Sequence, residues 1–280
     1  MRKPPVDVIR QALNEDGADY DITTLSTVPK DQLAQANIIA RQEGVVAGLA
    51  VATATFHQLD ERIVIDHLVE DGEHVHPDQV LARLSGPAGS ILSAERVALN
   101  FLGHLSGISS ITARCVQAVA GTQTRILDTR KTTPGLRGLE KDAVLLGGGQ
   151  NHRFGLSDGV LIKDNHIKAA GGIVQAVNAA RRTAQHLLKI EVECETISEV
   201  RLALEAGADV ILLDNMDVET MRSAVELARR DAPGVLLEAS GNIGTNPQRL
   251  AAVAATGVDF ISLGALTHSA PYFDISLEFA

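Results

Sequence analysis

The chain has 280 residues and a formal net charge of −10, with 35 Asp and Glu against 25 Lys and Arg. Such an acidic chain is a poor partner for nucleic acid, whose phosphates bind basic surfaces. Apolar residues make up 45% of the sequence, aromatic residues only 3%, and there is no Trp. The core must therefore consist mainly of Ala, Val, Leu and Ile, which suits helices packed on a parallel sheet.

The sequence also bears on where the protein works. Its N-terminus has no apolar segment of the signal-peptide type, and no run approaches the roughly 18 apolar residues of a membrane span. Cys115 and Cys194 are too few for a disulfide framework and lack metal-ligand spacing. We therefore expect a cytoplasmic protein with reduced cysteines. Its length allows one large α/β barrel or two smaller domains.

The sequence before residue 120 predicts a mixed α and β region. Helices are expected at 5–14, 47–59 and 93–105, and strands at 34–41, 63–68 and 80–84. Turns are expected at Asp71-Gly72 and at Ser85-Gly86-Pro87, because both segments contain turn-forming residues. Ser93 is the expected N-cap of the third helix, since its hydroxyl can accept a hydrogen bond from the first turn.

After residue 120, short apolar strands alternate with helices. Strands are expected at 124–128, 160–163, 190–194, 210–213, 235–239 and 260–263, and helices at 173–185, 198–206, 218–230 and 247–255. Ser198 and Asp217 are the expected N-caps of two of these helices, and Gly207 and Gly257 the expected C′ residues. This alternation predicts a parallel sheet. Six units are visible and 129–159 has room for another, which favours a closed or nearly closed barrel and leaves an open doubly wound sheet as the alternative.

Polar or small residues stand where these strands end. They are Asp128–Lys131, Lys163–Asn165, Glu193 and Glu195, Asp214 and Asn215, Ser240–Asn242, and Gly264. In α/β barrels the C-terminal ends of the strands converge on one mouth, where the active sites of this fold lie. We therefore expect two anionic side chains, several cations and two glycine-containing loops to meet around one cavity. The alternative is that Glu193 and Asp214 only pair with Lys163 in a structural ion network.

The same part of the chain is locally basic and rich in glycine. From Arg125 to Lys168, eight Lys and Arg stand against five Asp and Glu, a local charge of +3 in a chain of −10. A positive pocket in a negative protein attracts small anions, although a solvated surface stretch is the alternative. Ser240-Gly241-Asn242 and Gly264-Ala265 offer backbone N–H groups to phosphate. Lys131 and Lys163 can neutralise phosphate or pyrophosphate as point charges.

The remaining polar side chains are suited to bind carboxylates and a ribose. Arg130 and Arg153 carry the planar guanidinium that matches a carboxylate. Glu193 and Asp214 can hold ribose hydroxyls, or a Mg²⁺ ion that bridges pyrophosphate oxygens. No Ser-His-Asp or Cys-His nucleophile set is apparent. Together these residues indicate a site for a phosphorylated sugar and a carboxylated partner.

Several motifs, in order along nearly the whole chain, resemble those of one known family. They are Asp128-Thr-Arg-Lys-Thr-Thr-Pro-Gly-Leu-Arg137, Asn151-His-Arg153, Leu161-Ile-Lys-Asp-Asn-His166, Glu191-Val-Glu193, Leu212-Leu-Asp-Asn215, Leu237-Glu-Ala-Ser-Gly-Asn242 and Phe260-Ile-Ser-Leu-Gly-Ala265. They are similar to those of the quinolinate phosphoribosyltransferases, decarboxylating enzymes that make nicotinate mononucleotide. Gln150 and Tyr20 depart from the family pattern, which affects loop geometry and no charged position.

The resemblance implies a fold and an assembly. It implies an N-terminal α/β sandwich domain over 1–115 and an incomplete TIM-like α/β barrel over 116–265, with a tail at 266–280 that can return to the first domain. It also implies a head-to-tail homodimer, open to further assembly, in which the sandwich domain of one subunit covers the barrel mouth of the other. Arg96 would then reach the substrate of the partner subunit.

The resemblance further implies roles for individual residues. The expected substrate-binding residues are Arg96, Thr129, Arg130, Lys131, His152, Arg153, Lys163, Glu193, Asp214, Ser240, Gly241, Asn242, Gly264 and Ala265. Quinolinate carboxylates would be held by Thr129, Arg130, His152, Arg153 and Lys163. Phosphoribosyl diphosphate, with Mg²⁺, would be held by Lys131, Glu193, Asp214, Ser240, Gly241 and Gly264. Catalysis would fall to Lys131, Lys163, Glu193 and Asp214, the two acids also being the expected Mg²⁺ ligands.

Two other functions remain open at this stage. One is a diverged relative, such as the phosphoribosyltransferase-like protein of molybdate-transport operons, and Lys163 within Leu-Ile-Lys-Asp-Asn-His argues against it. The other is an anion-binding protein without turnover. The presence of both acids and all the cations argues against that function.

Overall fold

The computed structural model describes residues 5–280, which fall into two compact units. The first contains the described residues up to Ala113 together with Thr133–Gly148 and Ser269–Ala280, and the second contains Arg114–Thr132 and Gly149–His268. The expected domain boundary at 115/116 lies two residues beyond the first of these divisions. Residues 133–148, which the sequence analysis placed in the barrel, belong to the first unit.

The helices and strands of the described residues are numbered in chain order. The helices are α1 (Val6–Asp16), α2 (Ile22–Thr27), α3 (Leu49–Leu59), α4 (Ala88–Ala118), α5 (Arg137–Leu146), α6 (Asp164–Ala170), α7 (Ile173–Thr183), α8 (Ile197–Glu205), α9 (Val218–Asp231), α10 (Pro247–Ala254) and α11 (Ala265–His268). The strands are β1 (Leu33–Ala40), β2 (Gly44–Val45), β3 (Val64–His67), β4 (His74–Val75), β5 (Val80–Pro87), β6 (Arg125–Leu127), β7 (Val160–Ile162), β8 (Ile190–Cys194), β9 (Val210–Asp214), β10 (Leu236–Ser240), β11 (Phe260–Ser262) and β12 (Ile275–Phe279).

The first unit contains a four-stranded antiparallel sheet in the order β12-β1-β5-β3, and a small β2-β4 ribbon. The C-terminal strand β12 thus returns to the N-terminal part of the chain. The turn expected at Ser85-Gly86-Pro87 was wrong, because these residues extend β5 and pair with Leu33–Gln35 of β1. The turn at Asp71-Gly72 is confirmed. Sheet pairing across 50 residues overrides the local preference of Gly and Pro for turns.

Helix α4 starts five residues before its expected N-cap. Ser93 lies inside this helix, and its hydroxyl donates to Asp21 Oδ2 at 3.1 Å. Asp21 is itself the N-cap of α2 and accepts from the backbone N–H groups of Thr23 and Thr24. The predicted cap at Ser93 was therefore wrong: the serine joins two helices through a side-chain bond.

The second unit is built on a six-stranded parallel sheet in the order β6-β11-β10-β9-β8-β7. Its strands are mostly buried, as in β9, where Val210 to Leu213 are apolar and buried. All six strands were predicted, with bounds that differ by at most one residue. Helices connect successive strands, as a parallel sheet requires. The sheet forms the incomplete α/β barrel that the sequence predicted.

The 129–159 interval does not contain a further complete β-α unit. A single residue, Gln150, makes a parallel bridge with Leu127 of β6, and helix α5 belongs to the first unit. The backbone N–H of Asp128 donates to the Gln150 carbonyl at 3.1 Å. This bridge extends the edge of the sheet beside β6 without adding a strand.

Helix ends in the second unit agree only partly with the sequence. Asp217 caps α9 by accepting from the Thr220 N–H at 2.7 Å, as predicted. The cap of α8 is Thr196 in place of Ser198, and Glu199 completes a capping box there. Gly207, at φ +75°, directly follows the C-cap of α8 as expected. Gly257 comes two residues after the C-cap Ala255, one position later than predicted.

Membrane insertion by a helix has no support in residues 5–280: none of the helices there combines the length and apolarity that spanning a bilayer requires.

Candidate active site

One cavity of about 800 Å³ opens in the second unit, and the predicted binding residues other than Arg96 line it. They are Thr129, Arg130, Lys131, His152, Arg153, Lys163, Glu193, Asp214, Ser240, Gly241, Asn242, Gly264 and Ala265. Arg96 lies on α4 in the first unit, where it is exposed. Residues that sequence reasoning did not assign also line the cavity: Leu161, Leu212, Asn215, Glu238, Ile243, Gly244, Ser262, Leu263 and His268.

The parallel sheet explains why residues far apart in sequence meet here. Glu193 lies near the end of β8, while Asp214 ends β9 and Ser240 ends β10. Ser240 and Asp214 are register partners, and Glu193 is the register partner of Leu212. These strands run parallel, so their side chains emerge at one end of the sheet.

Lys163 and Glu193 form an ion pair within the cavity. Lys163 Nζ lies 2.6 Å from Glu193 Oε2. The lysine side chain is 47% exposed, whereas that of Glu193 is 12% exposed. Asp214 instead accepts from Asn215 Nδ2 at 2.6 Å. The alternative, a structural ion network in which both acids pair with Lys163, therefore accounts for Glu193 but not for Asp214, whose observed partner is Asn215. The Lys163 ammonium is exposed and stays accessible from the cavity.

The loop after β10 lies very close to the loop after β9. Gly241 has a φ of +80°, and a Cβ added there would lie 2.4 Å from Asn215 Oδ1 and 2.7 Å from Asp214 Oδ1. Asn242, also at positive φ, donates its Nδ2 to Asn215 Oδ1 at 2.9 Å. Only glycine fits this close approach of the two loops.

Lys131 is fixed through its backbone while its side chain stays exposed. Its N–H donates to Thr129 Oγ1 at 3.1 Å, and its carbonyl accepts from Thr267 Oγ1 at 2.7 Å. A Cβ on Gly264 would lie 3.0 Å from the lysine Cδ. Gly264 thus leaves room for the Lys131 side chain at the cavity wall.

Two arginines place positive charge close together. Arg130 Nε is buried and has no hydrogen-bond partner. Arg153 Nη1 donates to the Gly159 carbonyl at 3.0 Å. Burial, and then the charge of Arg130, lower the pKa of Arg153. An unused buried donor on Arg130, beside an Arg153 guanidinium whose charged form is disfavoured, forms a site that an anion would stabilise.

His152, which the sequence assigned to the site, forms a cluster with Glu191 and Glu238, which the sequence did not assign. His152 Nε2 lies 3.2 Å from Glu191 Oε2 and 3.6 Å from Glu238 Oε2. His152 Nδ1 accepts from the Arg153 N–H at 2.7 Å. Both ring nitrogens therefore face protein groups, and the expected contact of His152 with a substrate carboxylate stays a prediction. An acid in the middle of an apolar strand, as Glu238 is in β10, is the sequence signal that could have revealed the cluster.

The carboxyl groups of this cluster are deeply buried. Glu238 is 2% and Glu191 7% exposed. Burial, and then the negative charge of Glu191, raise the pKa of Glu238 to about 8, while His152 lowers it. Glu238 lines the cavity together with the cations, and Glu191 lies next to Glu238 and His152.

Comparisons with known proteins match this architecture over nearly the whole chain. Family models described as the N-terminal and C-terminal domains of quinolinate phosphoribosyl transferase match residues 21–106 and 108–278. A probable nicotinate-nucleotide pyrophosphorylase (carboxylating) of Bacillus subtilis (strain 168) is 46% identical over 264 residues, covering 94% of this chain and 89% of that protein. The nicotinate-nucleotide pyrophosphorylase (carboxylating) of Mycobacterium leprae is 44% identical, covering 97% of this chain and 96% of that protein. The crystal structure of nicotinate-nucleotide pyrophosphorylase from Ehrlichia chaffeensis superimposes with a TM-score of 0.93 at 38% identity, covering both chains completely.

Proposed function

The chain belongs to the quinolinate phosphoribosyltransferase family, and we propose that both of its substrates bind in the cavity at the C-terminal ends of the parallel strands. The protein is a phosphoribosyltransferase of NAD biosynthesis. It transfers the phosphoribosyl group from phosphoribosyl diphosphate to quinolinate with decarboxylation, giving nicotinate mononucleotide, pyrophosphate and CO₂. The observation that carries the site proposal is the meeting of cationic, acidic and glycine-loop residues from six strand ends in one cavity.

Quinolinate, a dicarboxylate, is assigned to the arginine side of the cavity. Arg130 has a buried and unused Nε–H, and Arg153 is a partly desolvated cation beside it. Thr129 and Lys163 line the same cavity and can add a hydroxyl and an ammonium to the carboxylate contacts. Charge-assisted hydrogen bonds from a planar guanidinium match a carboxylate in both geometry and charge.

Phosphoribosyl diphosphate is assigned to the side formed by Lys131 and the two glycine loops. The N–H groups around Gly241 and Gly264 can reach phosphate oxygens without interference from a Cβ. Glu193 and Asp214 provide carboxylate oxygens at adjacent strand ends, which fits the hard-oxygen preference of Mg²⁺. These two residues would hold Mg²⁺, which when bound neutralises diphosphate charge.

The chemistry then follows from electrostatics and positioning. The quinolinate ring nitrogen forms a bond to C1 of the ribose while the bond from C1 to pyrophosphate breaks, and the ribose carries positive charge in the transition state. Lys131 and Lys163 stabilise the leaving anion, and Glu193 or Asp214 stabilises the ribose cation. The glycosylated ring nitrogen is cationic and stabilises the electron pair that remains on the adjacent ring carbon when CO₂ departs, and this carbon then takes a proton from solvent. No residue forms a covalent intermediate in this scheme.

The assembly that we propose is a homodimer with shared sites. Arg96 is exposed on α4 of the first unit, and the family resemblance assigns it to the substrate of a partner subunit. A barrel mouth that must exclude water during phosphoribosyl transfer benefits from a cover of this kind. We place the protein in the cytoplasm, and the free, buried thiols of Cys115 and Cys194 agree with a reducing compartment.

The direct test is to incubate purified protein with quinolinate, phosphoribosyl diphosphate and Mg²⁺ and to measure nicotinate mononucleotide and CO₂ together. Both products should appear in equal amounts and depend on both substrates. Chelation of Mg²⁺ should abolish turnover, and its re-addition should restore it. Binding of both substrates without product would instead support the anion-binding alternative. Full turnover in the presence of chelator would remove Mg²⁺ from the proposal.

A further inference from the structure

Three side chains of metal-ligand type meet on the β2-β4 ribbon of the first unit. Glu43 offers one carboxylate oxygen, and His74 and His76 offer one ring nitrogen each. These three atoms all lie within 4.8 Å of one another. None of the three residues lines the cavity described above, so the proposed function does not account for their meeting.

The pairing of the ribbon explains why the three side chains share one face. β2 and β4 pair antiparallel, with Gly44 opposite Val75. Alternate residues of a strand point to the same side, so His74 and His76 lie on one face, while Val75 between them is buried. The same register, continued by one residue, places Glu43 opposite His76. Two histidines at positions i and i+2 and a carboxylate on the facing strand are therefore presented together to solvent.

The ribbon that carries these side chains is anchored to helix α4. The Val45 N–H donates to Ser110 Oγ at 2.9 Å. A Cβ added to Gly44 would lie 2.4 Å from the same Ser110 Oγ, so the strand and the helix approach closely. The Val46 N–H donates to the Glu73 carbonyl at 3.0 Å and continues the pairing beyond the ribbon. Ligands on such a support are held in place, which a metal site requires.

The separation of the ligand atoms suits a metal ion. His74 Nε2 lies 3.5 Å from Glu43 Oε1, which is longer than a good hydrogen bond of about 2.7–3.2 Å. Two ligand atoms that each lie about 2.0–2.2 Å from a tetrahedral Zn²⁺ ion are roughly 3.4 Å apart. This pair therefore needs little movement to bind one ion.

The surrounding segment is strongly acidic. Residues 66–78 contain five Asp and Glu and no Lys or Arg, and such a concentration of negative charge attracts cations. Two of these acids already bind backbone groups. Asp71 Oδ1 accepts from two N–H groups at the start of α3, and Glu73 Oε1 accepts from the Glu70 N–H at 3.1 Å. They add negative potential, while Glu43 is the carboxylate grouped with the two histidines.

We propose that Glu43, His74 and His76 form a binding site for Zn²⁺, with water in the remaining position. Two imidazoles and a carboxylate are a donor set of zinc sites, whereas Mg²⁺ and Ca²⁺ prefer oxygen ligands. The side chains of Glu43 and His74 are 65% and 52% exposed, so the ion can enter from solvent. The bound ion joins the residue before β2 to β4, and it strengthens a two-stranded ribbon that pairing alone stabilises only weakly.

The first test measures Zn²⁺ binding to the full chain after treatment with a chelator. Calorimetric titration is carried out with Mg²⁺ in excess, so that the oxygen ligands of the cavity compete less for Zn²⁺. The wild type should bind one Zn²⁺ per chain. Loss of a group that only supports a metal ligand costs about 10–100-fold in affinity, so His74→Gln and His76→Gln, which remove a ligand itself, should each cost at least about 100-fold. His186→Gln, the same change at an exposed position outside the cluster, is the matched control and should bind Zn²⁺ as the wild type does.

The second test measures stability and locates the ion. The melting temperature of the wild type and of His186→Gln should rise with Zn²⁺ concentration, because a ligand that binds the folded chain stabilises it. His74→Gln and His76→Gln should not respond in this way. In crystals of the wild type grown with Zn²⁺, the anomalous signal of zinc should lie among Glu43, His74 and His76, and this measurement needs no variant to fold.

Several outcomes would overturn the inference. Equal Zn²⁺ affinity in the wild type and in both cluster variants would place the ion elsewhere, for example at His152, Glu191 and Glu238. Absence of saturable binding to the wild type, or a zinc signal away from the ribbon, would also overturn it. The proposed function is tested separately, by formation of nicotinate mononucleotide, since none of these variants changes a residue that lines the described cavity.

Discussion

At the scale of single residues, the cations of the cavity differ in what surrounds them. Arg130 and Arg153 are partly buried and near each other, so each depends on a counter-anion. Lys131 and Lys163 are exposed, and exposed ammonium groups can follow a flexible diphosphate. This difference is the physical basis for assigning the arginines to quinolinate and Lys131 to phosphoribosyl diphosphate, and for placing Lys163 between the two substrates.

The arginine assignment predicts a selective loss of affinity. Arg153→Ala or Arg130→Ala should weaken quinolinate binding by about 1.5–3 kcal/mol, roughly 10- to 150-fold, because one charge-assisted contact is lost. Binding of phosphoribosyl diphosphate should change much less. Arg153→Lys keeps the charge without the planar fork and should be intermediate. Calorimetric titration of each substrate measures both effects, and unchanged quinolinate affinity in the two alanine variants would remove these residues from that role.

Lys163 tests whether its ion pair with Glu193 is structural or catalytic. An ion pair with a half-exposed partner contributes only about 0–1 kcal/mol to stability, so Lys163→Ala should melt close to the wild type. Turnover should nevertheless fall by at least about 100-fold, because positive charge that stabilises the leaving pyrophosphate is lost. A large drop in melting temperature with near-normal activity of the folded fraction would make the pair structural.

The matched control for Lys163 lies on α6, the helix that directly follows Lys163. Lys168 pairs with Asp164 at 2.9 Å on α6, and its side chain is 73% exposed. It does not line the described cavity. Lys168→Ala also breaks a lysine ion pair there, and both turnover and melting temperature should stay near the wild-type values.

At the scale of elements, the loop after β10 depends on one glycine. Gly241→Ala adds a Cβ that would lie 2.4 Å from Asn215 Oδ1, in a backbone conformation of φ +80°. The loop must move away from Asp214, so the KM for phosphoribosyl diphosphate should rise by at least about tenfold, equivalent to about 1.4 kcal/mol. Steady-state kinetics with phosphoribosyl diphosphate as the varied substrate measures this change.

Gly207 distinguishes the effect of backbone strain at a positive φ from the effect of the close approach between the two loops. It has a similar φ of +75° at the end of α8, but a Cβ there would meet nothing within 4 Å. Gly207→Ala should therefore cost about 1 kcal/mol of stability through backbone strain alone and leave the KM for phosphoribosyl diphosphate unchanged. Equal kinetic effects in Gly207→Ala and Gly241→Ala would show that close approach in the loop is not what matters.

The strands of the barrel were predictable because their signal is local. Each is a short, largely apolar run followed by a polar or small residue. A strand that is buried on both faces of a parallel sheet gives such a continuous apolar run, which is easy to recognise in the sequence. Helix α5 was missed for the opposite reason. Its buried residues include Glu140, which bonds to His104 Nε2 at 2.8 Å and to the Thr133 N–H at 3.1 Å. A buried acid whose partner is 36 residues away breaks the apolar periodicity on which helix prediction depends.

In the site as well, some residues could be predicted from the sequence and others could not. Residues at strand ends could be placed in one cavity from sequence, because parallel strands bring their C-terminal ends together. Glu191 and Glu238 lie within the strands, where sequence alone does not say which face an acid takes or which group it meets. Their cluster with His152 is created by packing between β8, β10 and the loop after Gln150, so the sequence can mark Glu238 as unusual, but the structure is needed to show its partners.

At the scale of the whole molecule, the chain passes between its two units more than once. Residues 133–148 and 269–280 return to the first unit after the chain has entered the second. The β12–β1 pairing joins the last residues of the chain to its N-terminal part. The units are therefore not two independent segments, and a truncation at residue 115 would remove β12 from the sheet of the first unit. Experiments on assembly accordingly need the full chain.

The last prediction concerns the shared site of the proposed homodimer. If Arg96 serves the site of the partner subunit, Arg96→Ala and Lys163→Ala each inactivate every site of their own dimers. In a mixed dimer, one site receives both wild-type residues and the other receives both substitutions. Subunits mixed in equal amounts and allowed to exchange at random should therefore regain about a quarter of the wild-type activity.

Mixed dimers must be confirmed by purification through two different affinity tags, because absence of exchange would imitate a negative result. The purified mixed dimer should then have about half of the wild-type activity, since one of its two sites is complete. A mixed dimer of two Lys163→Ala chains carrying the different tags is the control and should stay inactive. Confirmed mixed dimers without regained activity would place Arg96 in its own subunit's site or in a structural role, because a site completed by a partner must recover when that partner supplies the missing residue.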